Sequence, residues 1–381
     1  MAESVPVDHD GGALDVDLAE LFTGLVRGAA FPGAWWAVAT AGGTRSAGAA
    51  GWAVLDPERI VARRDTLFDV ASLTKPMVTT TIALHAASRN EIDLTEPVSR
   101  ILPEMSREGA GGATWIDLLS HRAGFEPWYP LYIEGSDRES YLEAIARRPL
   151  AAPPRSRVIY SDLGFLILQF ALEHRLDAPL DALARQRVFD PLGMSESRFA
   201  PARMLRARIA ATERDNAVER SMVAERGLSF SGFREGVIWG EVNDGNAWRL
   251  GGVAGHAGLF STAGDVCEFG RRLLFRDGFV VPAELVDTSL ENATAGLGES
   301  RGLGWQLRSD DPSHPSAPLS ERSFGHTGFT GSSLFVDPAR GLVLVLLISR
   351  LHPSIRSTSM RDVRRAFHET VVRWSDRRDG A

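Results

Sequence analysis

The chain has 381 residues, of which 44% are hydrophobic and 24% are charged, as is ordinary for a globular protein. This length can bury a large core and suggests two structural lobes. The formal net charge of −7 argues against a nucleic-acid-binding protein, which usually presents a basic face. The single cysteine, Cys267, excludes an internal disulfide and argues against a thiolate metal cage.

The amino-terminal segment and the apolar runs predict a cytoplasmic protein. Residues 1–12 are acidic and lack a basic stretch followed by an apolar one, so we expect a disordered lead rather than a secretory signal. The apolar run at 342–348 is strand-sized, far short of the roughly 18 residues of a membrane span. The oligomeric state does not follow from the sequence.

Apolar periodicity in the first quarter of the chain predicts a helix, a β-hairpin and a second helix. Gly42-Gly43 is typical of a hairpin turn, and Pro76 fits a helix only in its first turn. In chain order, the predicted elements are a helix over 14–26 closed by Gly28, strands over 34–40 and 45–55, and a helix over 72–88.

The middle of the chain is predicted to be mostly helical, and the last 80 residues return to strands. Segment 208–236 shows no assignable pattern. The predicted helices begin at the caps Thr114, Asp137, Ser161 or Asp162, and Thr262, and the first of them is expected to end at Gly124. The predicted strands cover 301–308, 323–327, 332–337 and 342–350, and a helix follows over 360–374.

Strands near both termini around a helical middle predict an α+β fold. Residues 13–88 and 295–381 are expected to form one antiparallel sheet flanked by helices. Residues 89–294 are expected to form a separate, mainly helical lobe.

The stretch around Ser72 carries the strongest chemical signature. Lys75 is the only lysine of the chain, and it follows Ser72 by three residues. In a helix these positions share a face, so the amine can lie beside the hydroxyl. A serine beside a lysine of lowered pKa is an activated nucleophile.

Two further segments could complete such a site. Tyr160, followed by Ser161 and Asp162, could relay a proton near the lysine, although a half-buried aromatic before a capping Asp162 gives the same pattern. His326, Thr327 and Gly328 lie on a predicted strand and could face a cleft, although a Gly-rich strand with an exposed histidine is the structural alternative. The amides of Ser72 and Phe329 could then form an oxyanion hole.

In this order, Ser72-x-x-Lys75, Tyr160-Ser161-Asp162 and His326-Thr327-Gly328 resemble the three motifs of the penicillin-recognising serine hydrolases. The branch that they resemble is the class C β-lactamase and esterase group, over about residues 15 to 375. The resemblance implies a five-stranded antiparallel sheet flanked by helices, an all-helical lobe and a cleft between them. It also implies that Ser72 forms an acyl-enzyme, that Lys75 activates it and that Tyr160 shuttles the proton.

Two departures from the family pattern bear on the substrate. His326 stands where true β-lactamases usually have lysine, and Asp162 stands where asparagine is usual. Both changes lower the positive potential at the site, which favours a neutral ester, amide or acyl-carrier substrate over a penicillin. Asp162 should also raise the pKa of Lys75 and leave more of the base role to Tyr160.

The remaining candidates are weaker. His256, in a glycine-rich loop over 251–258, could contact substrate, and His121 is interpreted as structural. Four aromatic residues could line an acyl pocket or pack between lobes: Trp128, Tyr129, Trp239 and Trp248. No metal-binding histidine pair is evident, so we expect no metal and no cofactor.

These features predict a serine hydrolase that cleaves esters or small amides, with a small-molecule ester, amide or peptide as its substrate. Two alternatives stay open. The same acyl-enzyme could transfer its acyl group, as in D-peptidase, acyltransferase or peptide-cyclising relatives, or the fold could serve as a non-catalytic ligand sensor.

Overall fold

A computed structural model describes residues 4–106, 111–276 and 278–379. Within this part of the chain, one sheet of eight antiparallel strands has the order β1-β3-β2-β10-β9-β8-β7, with β4 paired to β3, and a separate ribbon joins β5 to β6. The strands are β1 (Val7–His9), β2 (Gly33–Thr40), β3 (Gly43–Val54), β4 (Ile60–Val61), β5 (Phe68–Asp69), β6 (Phe260–Ser261), β7 (Gln306–Leu307), β8 (Phe324–Thr327), β9 (Ser333–Asp337) and β10 (Leu342–Ile348).

Helices cover both faces of this sheet and fill the middle of the chain. The α-helices are α1 (Ala13–Arg27), α2 (Thr81–Ser88), α3 (Trp115–Leu119), α4 (Arg138–Arg147), α5 (Asp162–Leu176), α6 (Leu180–Ala184), α7 (Asp190–Leu192), α8 (Ala217–Glu225), α9 (Gly245–Arg249), α10 (Ala263–Phe275), α11 (Ala283–Ser289) and α12 (Met360–Asp379). The π-helical turns are Lys75–Thr80 and Arg185–Phe189, and the 3₁₀ turns are Ala71–Leu73, Val98–Arg100, Pro103–Ser106, Leu131–Ile133 and Arg203–Arg208.

Strand β10 lies in the middle of the sheet, between β2 and β9, and all of its residues are buried. Because successive strand residues face opposite sides, the neighbours Trp35 and Trp36 of β2 enter two different cores. Trp36 packs with Phe22 of α1, and Phe22 packs with Phe367 of α12. Trp35 belongs to the larger core, which extends through α10 into the helical region.

The α+β class with an antiparallel sheet is confirmed. The five-stranded sheet that was expected corresponds to β3, β2, β10, β9 and β8, and the short strands β1, β4 and β7 extend it at its edges. The division into lobes at 88/89 and 294/295 stays a prediction. Among the described residues, no helix combines the length and the apolar character that a membrane crossing requires.

Several expected elements differ from the structure. The disordered lead predicted for residues 1–12 is wrong at Val7–His9, which pairs with β3 as an edge strand; residues 1–3 lie outside the described part. The predicted strand over 301–308 is limited to Gln306–Leu307, apart from one isolated bridge. Helix α3 ends at Leu119, before Gly124, because the chain turns left-handed at His121. Segment 208–236 contains α8.

Candidate active site

Ser72 and Lys75 are in direct contact at the start of the helical segment that follows β5. The Lys75 Nζ donates a hydrogen bond to Ser72 Oγ at 2.9 Å and another to the carbonyl of His256 at 3.3 Å. The Lys75 side chain is fully buried. The proximity predicted from the three-residue spacing is confirmed.

The turn that presents the serine is strained and tightly held. Ala71, which precedes it, has a φ of +47°, a left-handed conformation that side chains other than glycine rarely adopt. The Ala71 amide donates to Asp69 Oδ1 at 2.9 Å, and Thr330 Oγ1 donates to the Asp69 carbonyl at 2.7 Å. Burial raises the pKa of Asp69 to about 6. The backbone turn that precedes Ser72 is therefore held in place by both β5 and the turn after β8.

A carboxylate determines the charge of the lysine. Asp162 Oδ1 lies 2.6 Å from Lys75 Nζ. Burial lowers the pKa of Lys75, but the attraction of Asp162 and of Tyr160 outweighs burial, and the net pKa is raised. Lys75 is therefore an ammonium at neutral pH, as was predicted from Asp162.

Tyr160 lies beside this ammonium, inside a ring of basic side chains. Its ring centroid is 4.8 Å from Lys75 Nζ and 5.0 Å from Arg301 Cζ. The rings of His121 and His326 lie 4.5 Å and 5.8 Å from it. Four residues that are distant in sequence thus surround the phenol, and the contact with Lys75 places Tyr160 beside the serine and the lysine.

His121, interpreted from the sequence as structural, holds the tyrosine segment. Its Nδ1 accepts a hydrogen bond from the Ser161 amide at 3.0 Å. Burial and the nearby Arg301 and Lys75 charges place the pKa of His121 well below its usual value, so the ring is neutral. With Nδ1 as an acceptor, the proton resides on Nε2. His121 thus fixes the backbone beside Tyr160 and packs against its ring.

His326 is buried rather than exposed, which excludes the structural alternative considered for it. Its Nδ1–H donates to the Thr327 carbonyl at 2.9 Å. Burial, followed by the charges of Arg301 and Lys75, lowers the pKa of His326 well below its usual value. The expected neutral imidazole is confirmed.

The end of β8 packs directly on the serine turn. The Gly328 amide donates to the Ser332 carbonyl at 2.8 Å, and Ser332 Oγ donates to the Val70 carbonyl at 2.7 Å. A Cβ atom at Gly328 would lie 2.5 Å from the Val70 carbonyl, so the close approach requires glycine. Phe329 follows at the rim of the cleft and is 44% exposed.

A basic cleft borders this site on the β8 side. Its walls enclose about 700 Å³ and include Ser72, Tyr160, His326, Thr327, Gly328 and Phe329 together with Arg301, Arg350 and Arg364. Burial, and then Arg350, lower the pKa of Arg364 to about 10, so it remains charged at pH 7. That His326 and Asp162 lower the positive potential stays a prediction, and three arginines from other segments add positive charge to this cleft. The sequence analysis missed these arginines.

An acidic cavity borders the site on the other side. It has about 710 Å³ of open space, and its lining includes the carboxylates Asp69, Asp162, Glu219 and Asp244, together with His256, Trp128 and Met222. His256 Nε2 and Asp244 Oδ1 are 3.0 Å apart. Trp128 lines this cavity, whereas the other three aromatic candidates are not among its lining residues. Glu219 lies in the unassigned segment and was also missed.

One group of side chains has the spacing of metal ligands. Asp162, Asp244 and His256 place ligand atoms within 4.8 Å of one another. Asp162 already neutralises the Lys75 ammonium, and Asp244 already accepts from His256, so both carboxylates have polar partners. The reaction is therefore still expected to need no metal, and this stays a prediction.

Comparisons with known proteins agree with this geometry. A family model described as Beta-lactamase matches residues 18–367. A "Putative D-alanyl-D-alanine carboxypeptidase" from Salmonella agona is 31% identical over 324 residues, which cover 78% of this chain and 72% of that protein.

Two solved structures are similar to the whole chain. EstCE1, "a hydrolase with promiscuous acyltransferase activity", has a TM-score of 0.74 at 20% identity and covers 94% of this chain and 98% of its own. A penicillin-binding protein homologue from Caulobacter crescentus has a TM-score of 0.74 at 18% identity and covers 97% of this chain and 100% of its own. At these identities the two structures establish the fold alone.

Proposed function

The chain belongs to the beta-lactamase family and is a serine hydrolase, and we propose that it is a carboxypeptidase that releases the C-terminal residue of short D-alanyl peptides. The proposal assigns acyl-enzyme formation to Ser72, charge stabilisation to Lys75, proton transfer to Tyr160 and the oxyanion hole to the amides of Ser72 and Phe329. The name of the Salmonella relative supports the peptide class.

The observation that carries this proposal is the set of unpaired guanidinium nitrogens in the basic cleft. Within the described residues, Arg301 Nε and Nη1 and Arg364 Nε are buried without a hydrogen-bond partner. Both side chains are more than nine-tenths buried. Unpaired buried donors are costly, and a carboxylate is the anion that a guanidinium binds in a bidentate, charge-assisted manner. Arg301 is paired with Glu299 through Nη2 at 2.8 Å, and its other nitrogens stay available. The C-terminal carboxylate of a peptide would accept hydrogen bonds from these remaining donors next to the nucleophile.

The chemical steps follow from the charges. Because the Lys75 ammonium already donates to Ser72 Oγ, it stabilises the developing alkoxide rather than removing the proton. Tyr160 acts as the general base that takes the Ser72 proton as the oxygen attacks the peptide carbonyl, and it returns this proton to the departing amine. Water then attacks the acyl-Ser72 ester and gives a proton to Tyr160. The bond between the acyl carbon and Ser72 Oγ breaks, and Tyr160 passes the proton to Oγ, which restores the serine hydroxyl and releases the acid.

Hydrolysis of matched peptides tests the proposal. An N-acylated peptide that ends in D-Ala-D-Ala is compared with its C-terminal amide and with the L,L diastereomer, and released alanine is measured. We expect kcat/KM for the carboxylate peptide to exceed that of its amide by about 100-fold, the value of one charge-assisted pair. Equal rates, or turnover of p-nitrophenyl esters alone, would contradict the proposal.

A second measurement separates hydrolysis from acyl transfer. The same peptide is incubated with an added D-amino acid, and the products are resolved by mass spectrometry. The proposal predicts mainly the hydrolysed acid. A dominant aminolysis product would identify a transferase instead, and a stable acyl adduct without turnover would identify a sensor.

A further inference from the structure

We propose that the acidic cavity beside Ser72 is a binding site for a protonated primary amine carried by the acyl part of the substrate. This inference rests on the proposed function, because it assigns the other end of the same peptide. The substrate would then place its carboxylate in the basic cleft and its ammonium in the acidic cavity, with the scissile carbonyl at Ser72 between them.

The charges of the lining residues point to a cation. Four carboxylates and no lysine or arginine belong to the lining of this cavity, as far as the structure is described. Asp162 is neutralised by Lys75, and Asp69 accepts backbone hydrogen bonds from Ala71 and Asn243. Asp244 remains as a negative group that faces the open space without an ion pair to lysine or arginine in the described chain. Glu219 lines the same space, and burial raises its pKa to about 8. An entering cation favours its ionised form, so Glu219 becomes the partner of that cation.

Glu219 supplies an unused acceptor inside the cavity. Its side chain is 94% buried, since 6% of the residue is exposed. One carboxylate oxygen accepts from the Gly245 amide at 2.7 Å. The neighbouring Tyr132 hydroxyl interacts with this carboxylate, yet Oε2 has no partner with full hydrogen-bond geometry among the described residues and can accept from a further donor. A buried acceptor without a donor is costly, and a ligand N–H would remove this cost.

His256 supplies a second unused acceptor. Because Asp244 is a carboxylate and can only accept, the proton of the His256 ring resides on Nε2, which donates to Asp244 Oδ1 at 3.0 Å. The Nδ1 atom is then an acceptor, and it is buried without a partner in the described part of the chain. Asp244 also accepts from the Ala247 amide at 2.7 Å.

A primary ammonium matches this set of groups. It has three N–H donors, and the cavity offers acceptors on Glu219, His256 and Asp244. Trp128 and Met222 line the same space and provide an apolar and aromatic wall. Such a wall favours an organic cation, which contacts an aromatic face, over a strongly hydrated inorganic ion.

Esters that differ only in the charge of the acyl chain test the inference without using the basic cleft. The p-nitrophenyl esters of hexanoic acid, 6-aminohexanoic acid and adipic acid form one arm, for an amine at the end of a side chain. Those of D-alanine and N-acetyl-D-alanine form the other arm, for an α-amine. In at least one arm we expect kcat/KM at pH 7 to be about tenfold higher for the ammonium ester than for its uncharged partner. Ratios within twofold in both arms would overturn the inference while leaving Ser72 chemistry intact.

A pair of variants localises the effect. Glu219→Gln keeps the shape of the side chain and should reduce the ammonium-to-neutral ratio by about tenfold. Glu213→Gln is the matched control, because Glu213 is a nearby buried glutamate with both oxygens hydrogen-bonded and lies outside the cavity lining. Its ratio should equal that of the parent. Equal losses in both variants would contradict the assignment.

Equilibrium binding distinguishes failure of this inference from failure of the proposed function. If neither the peptide nor any ester is turned over, the proposed function fails, and the amine site is then tested on the Ser72→Ala variant by calorimetry. The expected result is about tenfold tighter binding of 6-aminohexanamide than of hexanamide. Equal binding of the two amides would overturn the amine site by itself.

Discussion

The two sides of the cleft carry opposite charge around one nucleophile. On the helical side, Glu219 and Asp244 face the open space, and on the sheet side Arg301 and Arg364 do so. Between them, Lys75 and Asp162 neutralise each other at 2.6 Å. Because Lys75 and Asp162 neutralise each other, the position of the nucleophile does not favour either sign of substrate charge. The charged residues on the two sides of the cleft instead select the orientation in which a substrate with two opposite charges binds.

The two sides also come from different parts of the chain. The acidic side uses α8, the residue before α9 and the loop that holds His256, all within the mainly helical stretch. The basic side uses the region around β8, the end of β10 and α12. The charged residues of each side can therefore be substituted separately, although Ser72, Tyr160 and Phe329 line both cavities.

The largest effect is expected where both sides meet. Ser72→Ala should reduce kcat/KM by about 10⁴-fold or more for cationic, neutral and anionic substrates alike, because the nucleophile serves all of them. Rates for the three ester classes and the intact mass after fluorophosphonate treatment check this. Ser88→Ala, at the exposed end of α2, is the control. Labelling of the Ser72→Ala protein would show that another residue is the nucleophile.

Removing charge from the basic side should have the next largest effect. Arg301→Gln should lower kcat/KM for the carboxylate peptide by roughly 10- to 100-fold and leave the preference for ammonium esters in place. Peptide and ester kinetics measured on the same preparation check this. Arg308→Gln is a matched control, because Arg308 pairs with Asp310 and is not among the residues that line the cleft. An equal decrease in kcat/KM for the peptide and for the ammonium esters would show that the basic and acidic sides of the cleft do not act independently.

Removing the central carboxylate should shift the pH profile. In Asp162→Asn the largest attraction that offsets the burial of Lys75 is lost, so the pKa of Lys75 falls. Because Lys75 acts as an ammonium, the alkaline limb of kcat/KM for a neutral ester should move to lower pH by about one unit or more. Profiles from pH 6 to 10 measure this shift, with Asp181→Asn on α6 as control. Movement of the ascending limb instead would identify the neutral amine as the base.

The smallest expected effect is on the free energy of unfolding, through the titration of Glu219 on the acidic side. Burial, and then the nearby Asp244, raise the pKa of Glu219 to about 8, above its unfolded value. A raised carboxyl pKa stabilises the fold fully below the unfolded pKa, and this contribution is lost as pH rises toward the folded pKa. Between pH 5 and pH 8 the parent should therefore lose roughly 3 kcal/mol of unfolding free energy through this residue.

Urea unfolding at the two pH values measures this loss. Glu219→Gln has no proton to lose and should show a smaller decrease, whereas Glu225→Gln, on the exposed face of the same helix, should follow the parent. Identical pH slopes in all three proteins would indicate that Glu219 is not ionised within this range.

Local patterns in the sequence predicted the parts of the site that depend on neighbours along the chain. The Ser72–Lys75 contact follows from helical spacing, and the caps Thr114 and Thr262 accept hydrogen bonds from the backbone as expected. Strands β2 and β3 begin and end within two residues of their predicted bounds. In each case the interaction that determines the local structure joins residues only a few positions apart in the sequence.

The rest depends on contacts that the sequence order does not reveal. Arg301, Arg350 and Arg364 are three of 41 arginines, and only tertiary packing brings them to one cleft. Glu219 lies in a stretch without apolar periodicity, and its burial comes from the residues that cover it. Strand β1 is three residues long, and its extended conformation depends on pairing with β3.

The central position of β10 has a consequence for synthesis. As the polypeptide leaves the ribosome, the segment with Ser72 emerges early, yet β2 must wait for residues 342–348 before its free edge is paired. Nascent chains shorter than this expose an unpaired, apolar strand edge, a template for association with other chains. Pairing of β2 with β10 is thus delayed until residues 342–348 have been translated, and a chain that stops before them contains Ser72 but lacks the central strand of the sheet.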